Sequence, residues 1–314
     1  MPAQRIVSLL PSATETLFAL GLGDQVVGVS HECDFPPAAR SRTAVIQSRL
    51  PKGASPQEID RLVREFSARG ESIYAVDAAA LRRLAPDLII TQDLCHVCAA
   101  SPEDLSAALA TCDPGPELLC LNPADLGDVW RDILWIGEQT FRGHEAERLL
   151  ESIGEKLAAV DREVAETVCR PRCVFLEWLE PLYVGGHWVP EIIELAGGID
   201  LFGHSRRPSF RISFEEIMAA QPDVLIVAPC GYSADQAGEE YRSLSFPRGW
   251  QEIPAVRNRQ IFALDANSYF SRPGPRLVTG LEILGKILHP GINVSPEAEH
   301  AIHPLFAGAQ AATV

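Results

Sequence analysis

Cys95-His96-Val97-Cys98 places two thiols and an imidazole within four residues. Thiolates and imidazole are zinc ligands, but a closed tetrahedral site needs a fourth donor, and no second CxxC or HxxxH pair supplies one. A CxxC at a helix start also suits thiol redox chemistry, and the same side chains could contact a ligand or only shape their loop. Cys95, His96 and Cys98 therefore stand as a metal-site candidate with those alternatives open. Gly280-Leu-Glu-Ile-Leu-Gly285-Lys286 opens like a phosphate loop, yet Ile287 occupies the magnesium-holding position and the segment reads as an apolar helix. Gly21-Leu-Gly23 lacks the third glycine of a dinucleotide fingerprint. No GxSxG, HExxH or spaced carboxylate motif occurs, so neither an enzyme nor a required cofactor is predicted.

The aromatics are more informative. The chain has five Trp and five Tyr, and Trp178, Tyr183, Trp188, Tyr232 and Tyr269 all follow expected strands of its second half. Ligands of open α/β sheets gather at the carboxyl ends of the strands. Rings collected there predict a ligand surface, the alternative being that they seal an internal interface. Glu103 and Glu215 each fall near the start of a helix, where a solvated carboxylate is expected to do no more than favour the helix dipole.

The elements that must position these residues centre on 122–168. Leu126, Val129, Ile133 and Ile136, then Ala146, Leu149, Leu150, Ile153, Leu157, Val160 and Val164 after Gly143, follow helical spacing. The second run, roughly 24 residues or 36 Å at the helical rise, is long enough to pass from one lobe to another. Its flanks echo each other. Asp77 and Ser213 each begin a short helix that breaks at Pro86-Asp87 and Pro222-Asp223 and enters an apolar strand. Arg5-Ile-Val-Ser-Leu-Leu followed by Gly21-Leu-Gly23-Asp24 is answered by Arg172-Cys-Val-Phe-Leu and Gly197-Gly198-Ile-Asp200.

The pattern predicts an α/β fold: two Rossmann-like lobes with central, mostly parallel sheets, joined by one long backbone helix. Its expected parts are an N-terminal lobe 1–142, the helix 143–168, a C-terminal lobe 169–290 and a loosely packed tail 291–314. Strands are expected at 5–10, 25–30, 87–91, 117–121, 172–177, 224–228 and 260–264, with a helix over 277–288. Residues 47–76 read as a Gly/Pro-punctuated loop around a helix at 56–68, and 178–188 as an aromatic, glycine-rich loop.

A chain of 314 residues accommodates two domains, and 46% hydrophobic with 22% charged residues argues for packed cores. The formal charge of −15 excludes a nucleic-acid partner, which would need clustered Lys and Arg. No apolar run reaches the roughly 18 residues of a membrane span. No leader precedes Arg5, and the eight scattered Cys fit a reducing compartment. The chain as written is expected to be cytoplasmic, or periplasmic or surface-anchored if a leader precedes it.

Arg5-Ile-Val-Ser-Leu-Leu-Pro-Ser-Ala-Thr-Glu, Val27-Gly-Val-Ser, Asp34-Phe-Pro-Pro, Leu84-Ala-Pro-Asp-Leu-Ile-Ile and Tyr269-Phe-Ser-Arg-Pro-Gly-Pro-Arg together resemble the vitamin B12-binding proteins of bacterial ABC importers. These lie within a broader family for cobalamin, siderophores and haem, and the resemblance runs from about residue 4 to 288. It implies two lobes on a rigid helix, a corrinoid held in the cleft, an ABC permease as partner, and a monomer. By position it places Phe35, Trp178, Tyr183 and Phe210 among cleft aromatics, and Ser268, Tyr269 and Arg272 beside the corrin amides. Trp178, Trp188 and Tyr269 would stack on the ring, and amides near Ser12 would meet its polar rim. His31 and His96 are candidate axial ligands of cobalt, though each also reads as an ordinary loop histidine. Glu103 and Glu215 match carboxylates that dock on permease arginines. Ser268 stands where the family has Asp, and Thr91-Gln92 replaces a tryptophan position. The CHVC loop and 47–76 depart from the best-known B12 binder. A siderophore- or haem-binding homologue, and a cytosolic metal or redox sensor using Cys95, His96 and Cys98, are the alternatives.

Overall fold

A computed structural model describes residues 4–51, 53–92, 102–110 and 115–306. The chain divides into two compact units, Met1–Pro123 with Gly127–Ser152, and Ala124–Leu126 with Ile153–Val314.

The first unit opens with β1 (Ile6–Ser8), α1 (Pro11–Ala19), β2 (Val26–Ser30) and β3 (Thr43–Ser48). Then come α2 (Pro56–Ala68), β4 (Tyr74–Val76), α3 (Ala78–Leu84), β5 (Leu88–Gln92), α4 (Pro102–Leu109) and β6 (Glu117–Leu121). They form a sheet of order β4-β3-β2-β1-β5-β6, parallel except where β4 runs against β3. The expected strands are present; β3 extends the parallel sheet, and β4 (74–76) adds an antiparallel edge where a connection was expected. Helix α2 fills the intervening excursion, started by Ser55, whose side chain accepts the Glu58 N–H. Helix α5 (Leu126–Gln139) follows, with Val129, Ile133 and Ile136 buried on one stripe.

Helix α6 (Gly143–Ala165), 23 residues, contributes Gly143–Ser152 to the first unit and the remainder to the second. Ala146 is buried in its first part, and Ile153 and Val160 in its second.

The second unit contains β7 (Arg172–Leu179), β8 (Leu182–Val184), α7 (Val189–Leu195), β9 (Ile199–Asp200), β10 (Phe210–Arg211) and α8 (Phe214–Ala220). Next are β11 (Val224–Val227), α9 (Ala234–Ser243), α10 (Pro254–Arg257), β12 (Ile261–Ala263), α11 (Ala266–Tyr269), α12 (Leu277–Leu288), α13 (Pro296–His300) and β13 (His303–Pro304). The sheet order is β10-β8-β7-β11-β12-β13, with β9 also beside β7. Its centre, β7-β11-β12, is parallel, and β8, β10 and β13 add antiparallel pairs. Helix α12 spans the expected residues and is buried at all but Lys286, as befits an apolar helix rather than a phosphate loop. A side chain at Gly280 would lie 2.3 Å from the Tyr269 carbonyl, so glycine is needed for α11 to pack there.

Two expectations are corrected. The segment 178–188 is mainly a hairpin: Trp178 ends on β7 and faces Tyr183 of β8. The described part of the tail is packed, with α13 and β13 in it. Buried Glu282 of α12 accepts the Ser295 N–H and hydroxyl, both at 3.0 Å, and β13 pairs with β12. Strands of two or three residues carry no periodicity, and one buried carboxylate cannot be told from a surface one by spacing.

The internal echo is physical. Asp87 accepts the N–H groups of Gln4 (2.8 Å) and Arg5 (3.1 Å), while Asp223 accepts that of Arg172 (2.9 Å). Each aspartate returns its own N–H to the carbonyl of the paired arginine, Arg5 or Arg172. Helices α3 and α8 both end on a left-handed non-glycine residue, Ala85 (φ 42°) and Gln221 (φ 50°). Helices α1 and α7 both end on a left-handed glycine, with Leu22 N–H bonded to Leu17 C=O and Gly198 N–H to Ile193 C=O. Removing one clasp, by Asp87→Ala or Asp223→Ala, is expected to cost its unit roughly 1–2 kcal/mol in urea unfolding. Asn, which keeps an acceptor, should recover most of the loss.

Candidate functional site

The β7–β8 hairpin assembles the ring surface of the second unit. Trp178 and Tyr183 are direct cross-strand partners, and Tyr183 faces Arg211 of β10, beside Phe210. The Trp178 indole donates to the Glu180 carbonyl (3.2 Å), and its ring meets Tyr232 edge-on at 5.8 Å and 74°. Trp178, Tyr183 and Tyr232 are half-buried, with part of each side chain available to a ligand. Phe210 is 37% exposed and stacks on His204 at 5.9 Å. Two carboxylates border the rings. Burial and the nearby Glu180 charge raise the Glu240 carboxyl, and burial followed by the Glu240 charge raises the Tyr232 phenol.

The exit from β12 supplies a polar edge. Asp265 caps α11: one oxygen accepts the Ser268 N–H and the other its hydroxyl, both at 2.8 Å. Tyr269 comes next, its hydroxyl 3.3 Å from a Glu297 oxygen and its ring centre 5.8 Å from the Arg276 guanidinium. Burial, then Glu297, pushes the Tyr269 phenol up to about 12. Arg272 is half-buried in the loop that follows. The Ala266 N–H donates to the Tyr232 carbonyl, joining this loop to the one after β11.

Two expected ligand residues are interior. Trp188 is 6% exposed and donates its indole N–H to the Phe270 carbonyl at 2.7 Å. Beside it, Phe175, Glu177, His187 and Ser271 enclose a void of about 10 Å³, room for a single water and not for a chelate. Ser12, second residue of α1, is 4% exposed. Glycine-rich surroundings suggested a ligand loop at Trp188, but the tight turn there serves to bury the indole.

In the first unit Phe35 is 42% exposed in the loop after β2. His31, also exposed, lies 3.8 Å from the Glu32 carboxylate, its ring 6.3 Å from that of Tyr74. Thr91 and Gln92 end β5 as buried residues. Glu103 and Glu215 are exposed in the first turns of α4 and α8. Cys95, His96 and Cys98 lie outside the described residues, among which no group of three or more metal-capable side chains forms. Sequence reasoning missed Asp265, Glu180, Glu240 and Glu297. Only Asp265, three residues before a serine at a strand exit, carried a capping signal.

Two α/β units, the first with a mostly parallel sheet and the second with a parallel sheet centre and with rings and polar groups at its strand exits, define a binding-protein architecture. A model of the periplasmic binding protein family matches residues 6–268, and the chain belongs to that family of substrate-binding proteins of the ABC-importer type. It is 27% identical over 285 residues to the vitamin B12-binding protein of Vibrio cholerae serotype O1, covering 90% of this chain and 87% of that one. An uncharacterized ABC transporter substrate-binding lipoprotein of Bacillus subtilis, YvrC, is 24% identical over 301 residues, covering 91% and 80%. Among solved structures, the periplasmic vitamin B12-binding protein BtuF of Vibrio cholerae matches with a TM-score of 0.65 at 25% identity, covering 91% and 97%. A periplasmic heme-binding protein from Pseudomonas aeruginosa shares the fold at a TM-score of 0.72 and 20% identity, covering 96% and 97%. Among the described residues no helix is long and apolar enough to cross a membrane.

The first unit also holds a cavity of about 570 Å³, lined by Cys120, Asn122, Asp128, Arg131, Asp132 and Trp135 among others. Burial pushes the Asp132 carboxyl up to about 7 against the opposing pull of Arg131. A carboxyl whose folded value is raised contributes most when protonated, and that contribution is lost as pH rises through about 7. The urea midpoint is therefore expected to fall between pH 6 and 8, and Asp132→Asn should remove that component of the fall.

Proposed function

We propose that this chain is the substrate-binding component of an ABC importer and that its ligand is cobalamin or a related corrinoid. The observation that carries this reading is the ring surface at the strand exits of the second unit, where Trp178 meets Tyr232 and faces Tyr183. A flat macrocycle needs broad ring faces with a few fixed polar groups at their edge. Trp178, Tyr183, Phe210 and Tyr269 would supply the faces. Ser268 and Arg272 would meet the polar periphery. The similarity to vitamin B12-binding proteins over 90% of the chain supports the same ligand class.

Glu103 and Glu215 are proposed to dock on cationic residues of a permease. Both are exposed in the first turn of a helix, free of the burial that would make a charge costly.

Titration of the purified protein with cyanocobalamin and dicyanocobinamide is expected to shift the corrinoid visible spectrum and release heat. Trp178→Ala should weaken binding by roughly ten- to thirtyfold, as loss of a central aromatic anchor does. Absence of both spectral shift and heat would remove the corrinoid reading, and a shifted, saturable Soret band on titration with hemin would replace it with haem. In an importing cell, Glu103→Lys and Glu215→Lys should lower uptake while leaving ligand affinity unchanged.

A further inference from the structure

Residues 291–306 lie beyond the stretch that the family model matches, yet they are fastened to the second unit. Besides the Ser295–Glu282 pair, Lys286 donates to the Ile292 carbonyl (2.8 Å) and Asn293 to the Glu163 carboxylate (3.0 Å). Lys156 lies 3.6 Å from Glu282. Strand β13 runs against β12 with His303 opposite Ala263. The residues just before β13 therefore stand beyond the carboxyl end of β12, the end from which α11 departs. There Glu297 of α13 accepts the Tyr269 hydroxyl.

A hydroxyl beside a carboxylate must donate its proton to it, because an ionised carboxylate only accepts. Tyr269 gives its proton to Glu297, and Ser268 gives its own to Asp265. Both oxygens are left as acceptors, with carboxylates behind them, and Glu180 and Glu240 add acceptor charge beside Trp178 and Tyr232. Such an edge accepts N–H from primary amides. It offers no hydroxyl proton to a ligand carboxylate. Corrinoids carry amide arms at the periphery, whereas haem carries two propionates.

Resting on the corrinoid-type reading of this surface, we propose that Glu297 is a specificity-determining positioning residue: by holding the Tyr269 hydroxyl as an acceptor, it favours amide-edged chelates over carboxylate-edged ones.

The full-length protein and its Glu297→Gln and Tyr269→Phe variants are titrated in parallel with dicyanocobinamide and hemin. Thermal melts confirm folding, which the exposed position of Glu297 should preserve. The parent is expected to prefer cobinamide. Glu297→Gln should shift the cobinamide-to-hemin affinity ratio toward hemin by on the order of three- to tenfold, the range open to a solvent-screened charge and one hydrogen bond. Tyr269→Phe should shift it less, since the carboxylate remains. Ultraviolet difference titration should show the Tyr269 ionisation falling from about 12 in Glu297→Gln, with Arg276 and Asp265 still beside the ring. A purely structural contact would leave the ligand ratio unmoved. A parent that binds cobinamide with a ratio unchanged in Glu297→Gln overturns this inference and leaves the corrinoid reading standing. A parent that binds neither chelate, or prefers hemin with Glu297 intact, overturns both.

Discussion

In each unit an aspartate carboxylate closes the amino end of the first parallel strand pair. A parallel sheet leaves its first N–H groups without a strand partner unless something else accepts them. Asp87 meets this need for the segment leading into β1, and Asp223 for the start of β7. Because the aspartate also donates its own N–H across the same gap, the carboxylate fixes register as well as closing the edge. Ile6 is thereby set opposite Leu88, and Cys173 opposite Val224. The preceding proline stops the helix, and the left-handed residue before it turns the chain toward the strand. Helix stop, turn and register thus share three consecutive residues.

The same economy explains which features were legible in the sequence. Pro-Asp after a capped helix is a local signal, and α3 with β5 and α8 with β11 fell where it placed them. The short strands β4, β8, β9, β10 and β13 fell outside its reach. Val184, Phe210 and His303 join the sheet because a neighbour is already positioned, and nothing in their own spacing says so. The reading of 178–188 as a loop failed for a related reason. Glycines and a proline dominate the stretch, while the pairing of Trp178 with Tyr183 depends on the turn at Glu180-Pro181.

The candidate site divides along similar lines. Rings announce themselves by scarcity, so Trp178, Tyr183, Tyr232 and Tyr269 were visible before any coordinates. Their burial was not: Trp188 follows the same expected strand as Trp178, but its indole finds a backbone acceptor inside the unit. The carboxylates behind the rings were invisible for the opposite reason. Glu180, Glu240 and Glu297 are ordinary members of an acidic chain, and only the β7–β8 turn and the packing of α9 and α13 bring them to an aromatic edge.

These observations separate what the repeat conserves within the chain from what it leaves free. The aspartate clasps, the left-handed helix ends and the central pairings sit at the amino ends of the strands and in the helix stops, and they recur in both units. At the carboxyl ends the units diverge. β7 extends into a hairpin bearing Trp178 and Tyr183, and β12 leads into a capped turn bearing Ser268 and Tyr269, whereas β2 opens into the loop of His31 and Phe35. Loops at that end carry no share of the clasp, so their residues can change at little cost to the sheet. The C-terminal segment exploits this freedom from outside the repeat. By pairing with the edge strand β12 it gains a fixed position without disturbing the clasps, and it places one carboxylate beside a tyrosine that the scaffold had already set beyond the carboxyl end of β12.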